Sequence, residues 1–201
     1  MKNAPSTHCE PRHTARLRPV HLDCLAAGCA AAAALVVYAF TLAPSVTGED
    51  SGELVAAAYT LGIPHPTGYP LWCLLAKGFI ALLPVHSVAW RAGFMSATFG
   101  AVTVFLVALL VARQHRNRVA GLAAGLLLAF SFEFWEQSVI AEVYTLNAFC
   151  MAACILLLFA YEESRKSLPL WAFAAIYGLS LGNHSVMYLL GPVFAFFVLW
   201  C

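Results

Sequence analysis

The stretch Y-P-L-W-C-L-L-A-K-G-F-I-A-L-L, Tyr69 to Leu83, decides how this chain is threaded. It is apolar enough for lipid, yet Pro70 and Pro84 bracket it, Lys77 interrupts it, and its fifteen residues reach only about 22 Å as a helix. A bilayer core of roughly 30 Å needs about 20 helical residues. The stretch therefore reads as a re-entrant or interfacial helix. On either side lie longer apolar runs: Cys24 to Pro44 is the first expected span, and Ala92 to Ala112 the second, bounded by Arg91 before it and Arg113, Arg116 and Arg118 after it. Further spans are expected at about 119–134, 146–161, 168–182 and 186–200.

The distribution of charge favours that reading. Lys and Arg in short loops stay on the cytoplasmic side. If Tyr69 to Leu83 does not cross, Lys2, Arg12, Arg16, Arg18, Arg113, Arg116, Arg118, Arg165 and Lys166 share one side, nine of the eleven basic residues. Only Lys77 and Arg91 face outward. If the stretch does cross, five basic residues fall on each side and Lys77 is left inside the membrane. The first threading is expected, with a cytoplasmic N-terminal tail over residues 1–23.

Composition agrees with a lipid-embedded chain. Of 201 residues, 62% are hydrophobic and 10% charged, against roughly 45–50% and about 25% in ordinary soluble domains. A net charge of +1 offers no basic footprint for nucleic acid. Cys24, Cys29, Cys73, Cys150, Cys154 and Cys201 lie in or beside apolar runs, and no C-x-x-C occurs, so they read as small buried hydrophobes. The polar stretch before the first apolar run is too long for a signal peptide. That run is expected to remain as an anchor. The end of the chain at Cys201, with no basic flank, reads as a cut within a longer protein.

The threading has a chemical consequence. Glu49, Asp50, Glu53, Glu133, Glu136 and Glu142 all fall on the outer side in two loops, with His65 and His184 beside them. Asp50 and Glu53 precede a short helix expected over 51–61, with Leu54, Ala58 and Leu61 on one stripe. They could be a capping pair, N-cap and N3, or carboxylates kept at the membrane face for function. Pro64 to Pro70 packs three prolines and Gly68 around His65 and Tyr69, which specifies a rigid turn. Lys77 either snorkels to the interface or meets an anionic group. In the second loop, Trp135 and Tyr144 suit an aromatic belt, whereas Glu142 sits in an otherwise apolar V-I-A-E-V-Y-T-L and asks for explanation. Asn183 and His184 interrupt two apolar runs at the same face. A metal site from Asp50, Glu53 and His65 is conceivable, but no H-x-x-x-H or E-x-x-H spacing supports one, so no metal or cofactor is expected.

P-S-V-T-G-E-D-S-G-E-L, Pro44 to Leu54, and L-G-I-P-H-P-T-G-Y-P-L, Leu61 to Leu71, resemble the G-D-S-G-E and H-P-P-G-Y-P signature of the multispanning protein O-mannosyltransferase-like family. A-E-V-Y-T-L-N, Ala141 to Asn147, and L-G-N-H, Leu181 to His184, extend the agreement. Glu49 stands where the signature has Gly, and Thr67 where it has the second Pro. The resemblance implies an all-α membrane protein of the GT-C glycosyltransferase type, a multispanning helical bundle with juxtamembrane helices at about 51–61 and 69–83 in the first outer loop. It implies that residues 24–201 are the N-terminal part of such a domain. It further implies transfer of mannose or another hexose from a polyprenyl- or dolichyl-phosphate carrier to a protein Ser/Thr hydroxyl. Asp50 would be the catalytic base, and Glu53, His65, Tyr69, Lys77, Glu142 and His184 would contact donor or acceptor. The membrane would be the bacterial inner membrane or, in a eukaryote, the endoplasmic reticulum.

Two other classes compete. A transporter or proton relay also uses acids and histidines in a helical bundle, but places them at mid-membrane, often in repeated halves. Here they cluster at one face and no repeat is evident. A non-catalytic membrane subunit is the third class.

Overall fold

The computed structural model describes residues 20–200. Lys2, Cys9, Arg12, Arg16, Arg18 and Cys201 lie outside the described residues. The described chain is all helical: α1 Val20–Thr41, α2 Ser51–Thr60, α3 Pro70–Leu82, α4 Val88–Gln114, α5 Arg118–Ala129, α6 Phe132–Ser138, α7 Tyr144–Ser164, α8 Ser167–Ser180 and α9 Val186–Trp200. The protein is an all-α membrane protein in which α1, α4 and α7 are each long and apolar enough to cross a bilayer. Helices α3, α8 and α9 are shorter apolar segments.

The helix expected over 119–134 is two helices, α5 and α6, bent by 67° at Phe130–Ser131. The cause is visible at the break. The buried Tyr38 hydroxyl donates to the Ala129 carbonyl at 2.8 Å, occupying an acceptor the continuing helix would have used. Ser131 turns its own hydroxyl back onto Leu128 O at 2.8 Å, and Ser131 O starts α6 by accepting from Trp135 N. The α2 stripe also ends early. Leu61 leaves the helix in a left-handed conformation (φ 56°) and is exposed, while Leu54 and Ala58 are buried as expected. Cys29 lies exposed on α1, unlike the buried Cys73, Cys150 and Cys154.

Helix α4 is the central column, packed against α1, α5, α7 and α3. One core joins α2, α3, α4 and α7 around Leu54, Trp72, Met95 and Leu146. A second lies toward α1 and α5 around Tyr38, Ala97, Val104 and Ala129. At one end of the bundle Arg118 Nε pairs with the buried Asp23 at 2.7 Å, and Arg113 with Glu163 at 2.7 Å. Asn117 caps α5 at that end by accepting from Val119 N and Ala120 N.

The opposite end holds both ends of α3. At its start Leu71 N donates to Gly182 O in the α8–α9 turn. Just past its end, the Ser87 hydroxyl accepts from Trp90 N to cap α4 and donates to Pro44 O, beyond the end of α1, at 2.9 Å. The Arg91 guanidinium closes the α3–α4 turn on the carbonyls of Ile80, Val85 and His86. Helix α3 thus leaves and returns to one face of the bundle.

Gly121 and Gly125 make the α4–α5 crossing close. A Cβ at Gly121 would stand 2.5 Å from Ala108 O and 2.7 Å from Ala112 Cβ, so backbone would have to move. Overpacking of this kind costs about 1–3 kcal/mol, more than the up to about 1 kcal/mol that helix propensity returns. Gly121→Ala should therefore lower the thermal unfolding temperature in detergent, whereas Gly28→Ala, with open space around its Cβ position, should not.

Candidate functional site

Asp50, Glu53, His65, Glu142 and His184 gather where α2, α3, α7 and the α8–α9 turn meet. Asp50 stands at the N-cap position of α2, but its side chain makes no capping hydrogen bond. Glu53 does not reach back to complete a capping box either. Both its oxygens take His65 instead: Oε1 accepts from the His65 amide at 2.8 Å, and Oε2 lies 2.9 Å from His65 Nδ1. The capping alternative is therefore not what these residues form. Glu53 pins the proline-rich turn onto the start of α2.

That turn presents His65 on its other side. His65 Nε2 lies 3.1 Å from Tyr69 Oη and 3.7 Å from Asp50 Oδ2. Gly68, at φ 85°, supplies the left-handed step that lets the chain reverse between His65 and Tyr69, and Gly68 N donates to His65 O. Pro70 then occupies the first position of α3, where its missing N–H costs nothing. The Tyr69 ring continues the row to His184 at 6.4 Å between centroids, and His184 to Tyr144 at 5.6 Å.

Glu142 is the buried member, 3% exposed, in the link between α6 and α7. Its backbone is clamped from two helices. Its carbonyl accepts from Trp72 Nε1 of α3 at 3.0 Å and from the Ser96 hydroxyl of α4 at 3.1 Å. Its Oε2 accepts from Val143 N at 3.3 Å. Oε1 is buried with no hydrogen-bond partner among the described residues. Asn183, fully buried, donates from Nδ2 to Val143 O at 3.2 Å, tying the α8–α9 turn to the next peptide along.

Of the residues singled out from sequence, the structure brings Asp50, Glu53, His65 and Tyr69 into direct or near contact and sets His184 beside Tyr69. Lys77 goes elsewhere. Its ammonium donates to Tyr59 O near the C-terminal end of α2 and lies 4.9 Å over the Tyr59 ring, a natural cation position at a helix C-terminus. Trp72 and Ser96 escaped the sequence reading because each looks like ordinary helix content. Only the fold brings them to Glu142.

The electrostatics follow from these contacts. Hydrogen bonding to Glu53, with the charges of Asp50, Glu53 and Glu142 behind it, raises His65 above its ordinary 6.5. The same His65 bonds hold Glu53 below the usual carboxylate range. Burial raises Tyr69 and lowers His184. Burial first, then the charges of Glu49 and Asp50, push Glu142 up to about 7 against the pull of Val143 N and His65. The ligand atoms of Asp50, Glu53 and His65 also lie within 4.8 Å of one another, near enough to share a divalent cation.

The His65–Glu53 pair has a definite pH window. The raised His65 contributes fully below its unfolded value of 6.5, and its contribution is lost as pH rises through the higher folded value. The lowered Glu53 contributes above its unfolded 4.5 and fails as pH falls through the lower folded value. In a histidine NMR titration of the detergent-solubilised protein, His65 should titrate above 6.5, and Glu53→Gln should bring it down. A His65 midpoint unmoved by that substitution would break the pairing.

The family described as Protein O-mannosyl-transferase TMEM260 N-terminal domain matches residues 50–201. The chain is 38% identical over 165 residues to Protein O-mannosyl-transferase TMEM260 of Mus musculus, covering 79% of this chain and 24% of that protein. It is 30% identical over 182 residues to Protein O-mannosyl-transferase tmem260 of Dictyostelium discoideum, covering 82% and 22%. The chain thus spans about a quarter of the length of these relatives. No solved structure matches it.

Proposed function

The chain belongs to the protein O-mannosyl-transferase TMEM260 N-terminal domain family, and on that premise we propose that it carries the base and part of the donor site of a GT-C-type membrane glycosyltransferase. The reaction moves a hexose, mannose by the relatives' names, from a polyprenyl- or dolichyl-phosphate carrier to a protein Ser/Thr hydroxyl. The observation that carries the reading is Asp50: a carboxylate at the start of a short helix beside the spans, free of any capping bond and 3.7 Å from His65.

Transfer needs a base to take the acceptor proton as its oxygen attacks the anomeric carbon. It also needs positive or dipolar groups for the phosphate that leaves. Asp50 is 60% exposed at its side chain, accessible to an acceptor hydroxyl arriving from water. His65, charged over a widened range by Glu53, steadies Asp50 and with Tyr69 Oη offers hydrogen bonds to the phosphate. No divalent cation is assigned a step, because Glu53 and His65 satisfy one another directly.

Sidedness completes the reading. Arg113, Arg116, Arg118, Arg165 and Lys166 lie at the end of the bundle opposite Asp50, which supports a site on the outer or lumenal face and a cytoplasmic N-terminus. The membrane is the bacterial inner membrane in a prokaryote or the endoplasmic reticulum in a eukaryote. In intact cells or sealed vesicles with their native orientation, an impermeant thiol reagent should label a cysteine at the exposed Ser45 only when added to the outer or lumenal side, and one at the exposed Ser167 only from the cytoplasmic side. The reverse pattern would overturn the threading.

Asp50→Asn in the full-length protein should reduce transfer from a polyprenyl-phosphate mannose by about 10²–10⁴-fold while thermal stability is kept, since Asn suits a helix N-terminus as well as Asp does. Glu53→Gln should be milder, and EDTA should leave the wild-type rate unchanged. Near-wild-type transfer by the Asn variant would remove Asp50 from the role of base. An EDTA-sensitive rate restored by Mg²⁺ would instead make Asp50, Glu53 and His65 cation ligands.

A further inference from the structure

Glu142 is out of keeping with an anionic donor unless it is neutral. It is buried, its Oε1 has no hydrogen-bond partner among the described residues, and its backbone is fixed by Trp72 and Ser96 so that the side chain cannot be moved away cheaply. An ionised carboxylate in that position is costly to desolvate, and it would repel a phosphodiester. A protonated one gains an O–H for which the described protein supplies no acceptor. Donor and vacant acceptor position then match a phosphate ester.

We propose that Glu142 is held as the neutral acid and donates its proton in a hydrogen bond to an anionic phosphate oxygen of the lipid-linked donor, which makes it a donor-contacting residue distinct from the base. The inference rests on the lipid-phosphate reading of the site. When the glycosyl–oxygen bond breaks and its electron pair goes to the phosphate oxygen, the same hydrogen bond is placed to strengthen as charge develops there. The acceptor's proton goes to Asp50, and Glu142 keeps its own or passes it to the phosphate monoester that leaves.

The surroundings support a carboxyl that is still partly protonated at neutrality, where an ordinary one is fully ionised. Glu49 and Asp50 act on it from the first loop and raise it, whereas His65 and Val143 N lower it, with burial the largest influence and a net position of about 7. Tyr69 also senses its charge. From α3 and α4 only Trp72 and Ser96 contact it by hydrogen bonds, and neither titrates. Tyr144 and His184 are the next titratable side chains on α7 and in the α8–α9 turn. Donor binding is thereby linked to pH: an anion that needs the neutral acid binds less well as the acid ionises.

Two measurements on the full-length protein test this. Infrared difference spectra without any substrate should contain a protonated-carboxyl band that titrates near pH 7, vanishes in Glu142→Gln, and persists in His65→Gln. Adding farnesyl phosphate should move that titration to higher pH. The KM for a polyprenyl-phosphate mannose should rise roughly 10-fold or more between pH 6.5 and 8.5 in wild type. In Glu142→Gln, an amide that still donates and never ionises, the rise should be much smaller. Glu142→Asp, with thermal unfolding recorded for all variants, provides the comparison if the amide disturbs folding.

An absent band, a band insensitive to farnesyl phosphate, or a Glu142→Gln profile that parallels wild type would overturn the proposal and leave Glu142 a structural carboxyl. Failure of the wild type to use any polyprenyl-phosphate sugar, with the band and its response to farnesyl phosphate intact, would count against the transferase reading instead.

Discussion

A helix of thirteen residues reaches about 20 Å, short of the roughly 30 Å of a hydrocarbon core, and both ends of α3 are held at one end of the bundle. Its tethers enforce this. Leu71 N on Gly182 O fixes the start, and Ser87 on Pro44 O fixes the turn that follows. Because α3 returns, α4 begins at the same face as the loop after α1, and every later helix inherits its direction. The same return places Trp72 over the α6–α7 link and the proline-rich turn over the start of α2, so the threading and the site have one origin.

The site then trades helix stability for position. A capping pair at Asp50 and Glu53 would satisfy orphan N–H groups at the start of α2, and a capping residue is typically worth about 1 kcal/mol. The structure forgoes that arrangement. Glu53 is spent on holding His65, and Asp50 is left without a capping bond. Local sequence rules and the observed bonds disagree at the residues proposed to carry chemistry, which is where such conflict is expected.

The membrane class, the main helices and the shortness of α3 were legible because they depend on a quantity a sequence carries directly, apolar run length. The non-helical turn between α2 and α3 was legible from its proline and glycine content. The break at Phe130–Ser131 was not, since it follows from a Tyr38 hydroxyl 91 residues away. Nor was the destination of Lys77, which depends on where α2 ends relative to α3. The sequence marked Asp50 as the base, with Glu53, His65, Tyr69, Lys77, Glu142 and His184 around it. It could not tell which acid would be open to water and which enclosed.

That difference is set by packing. Asp50 lies at a helix start reached by solvent, while Glu142 lies beneath Trp72, beside Ser96 and next to the peptide held by Asn183. Two carboxyls in one cluster cannot both carry charge cheaply, the less so beside the anionic donor proposed for this site. Enclosing one shifts its proton affinity upward, and opening the other leaves it free to accept a proton. A fold that separates two acids in this way gives them different proton affinities without any difference in their chemistry, which suits the opposite tasks proposed for them. The separation depends on α3 coming back to the face it left, because a crossing helix would carry Trp72 away and expose Glu142.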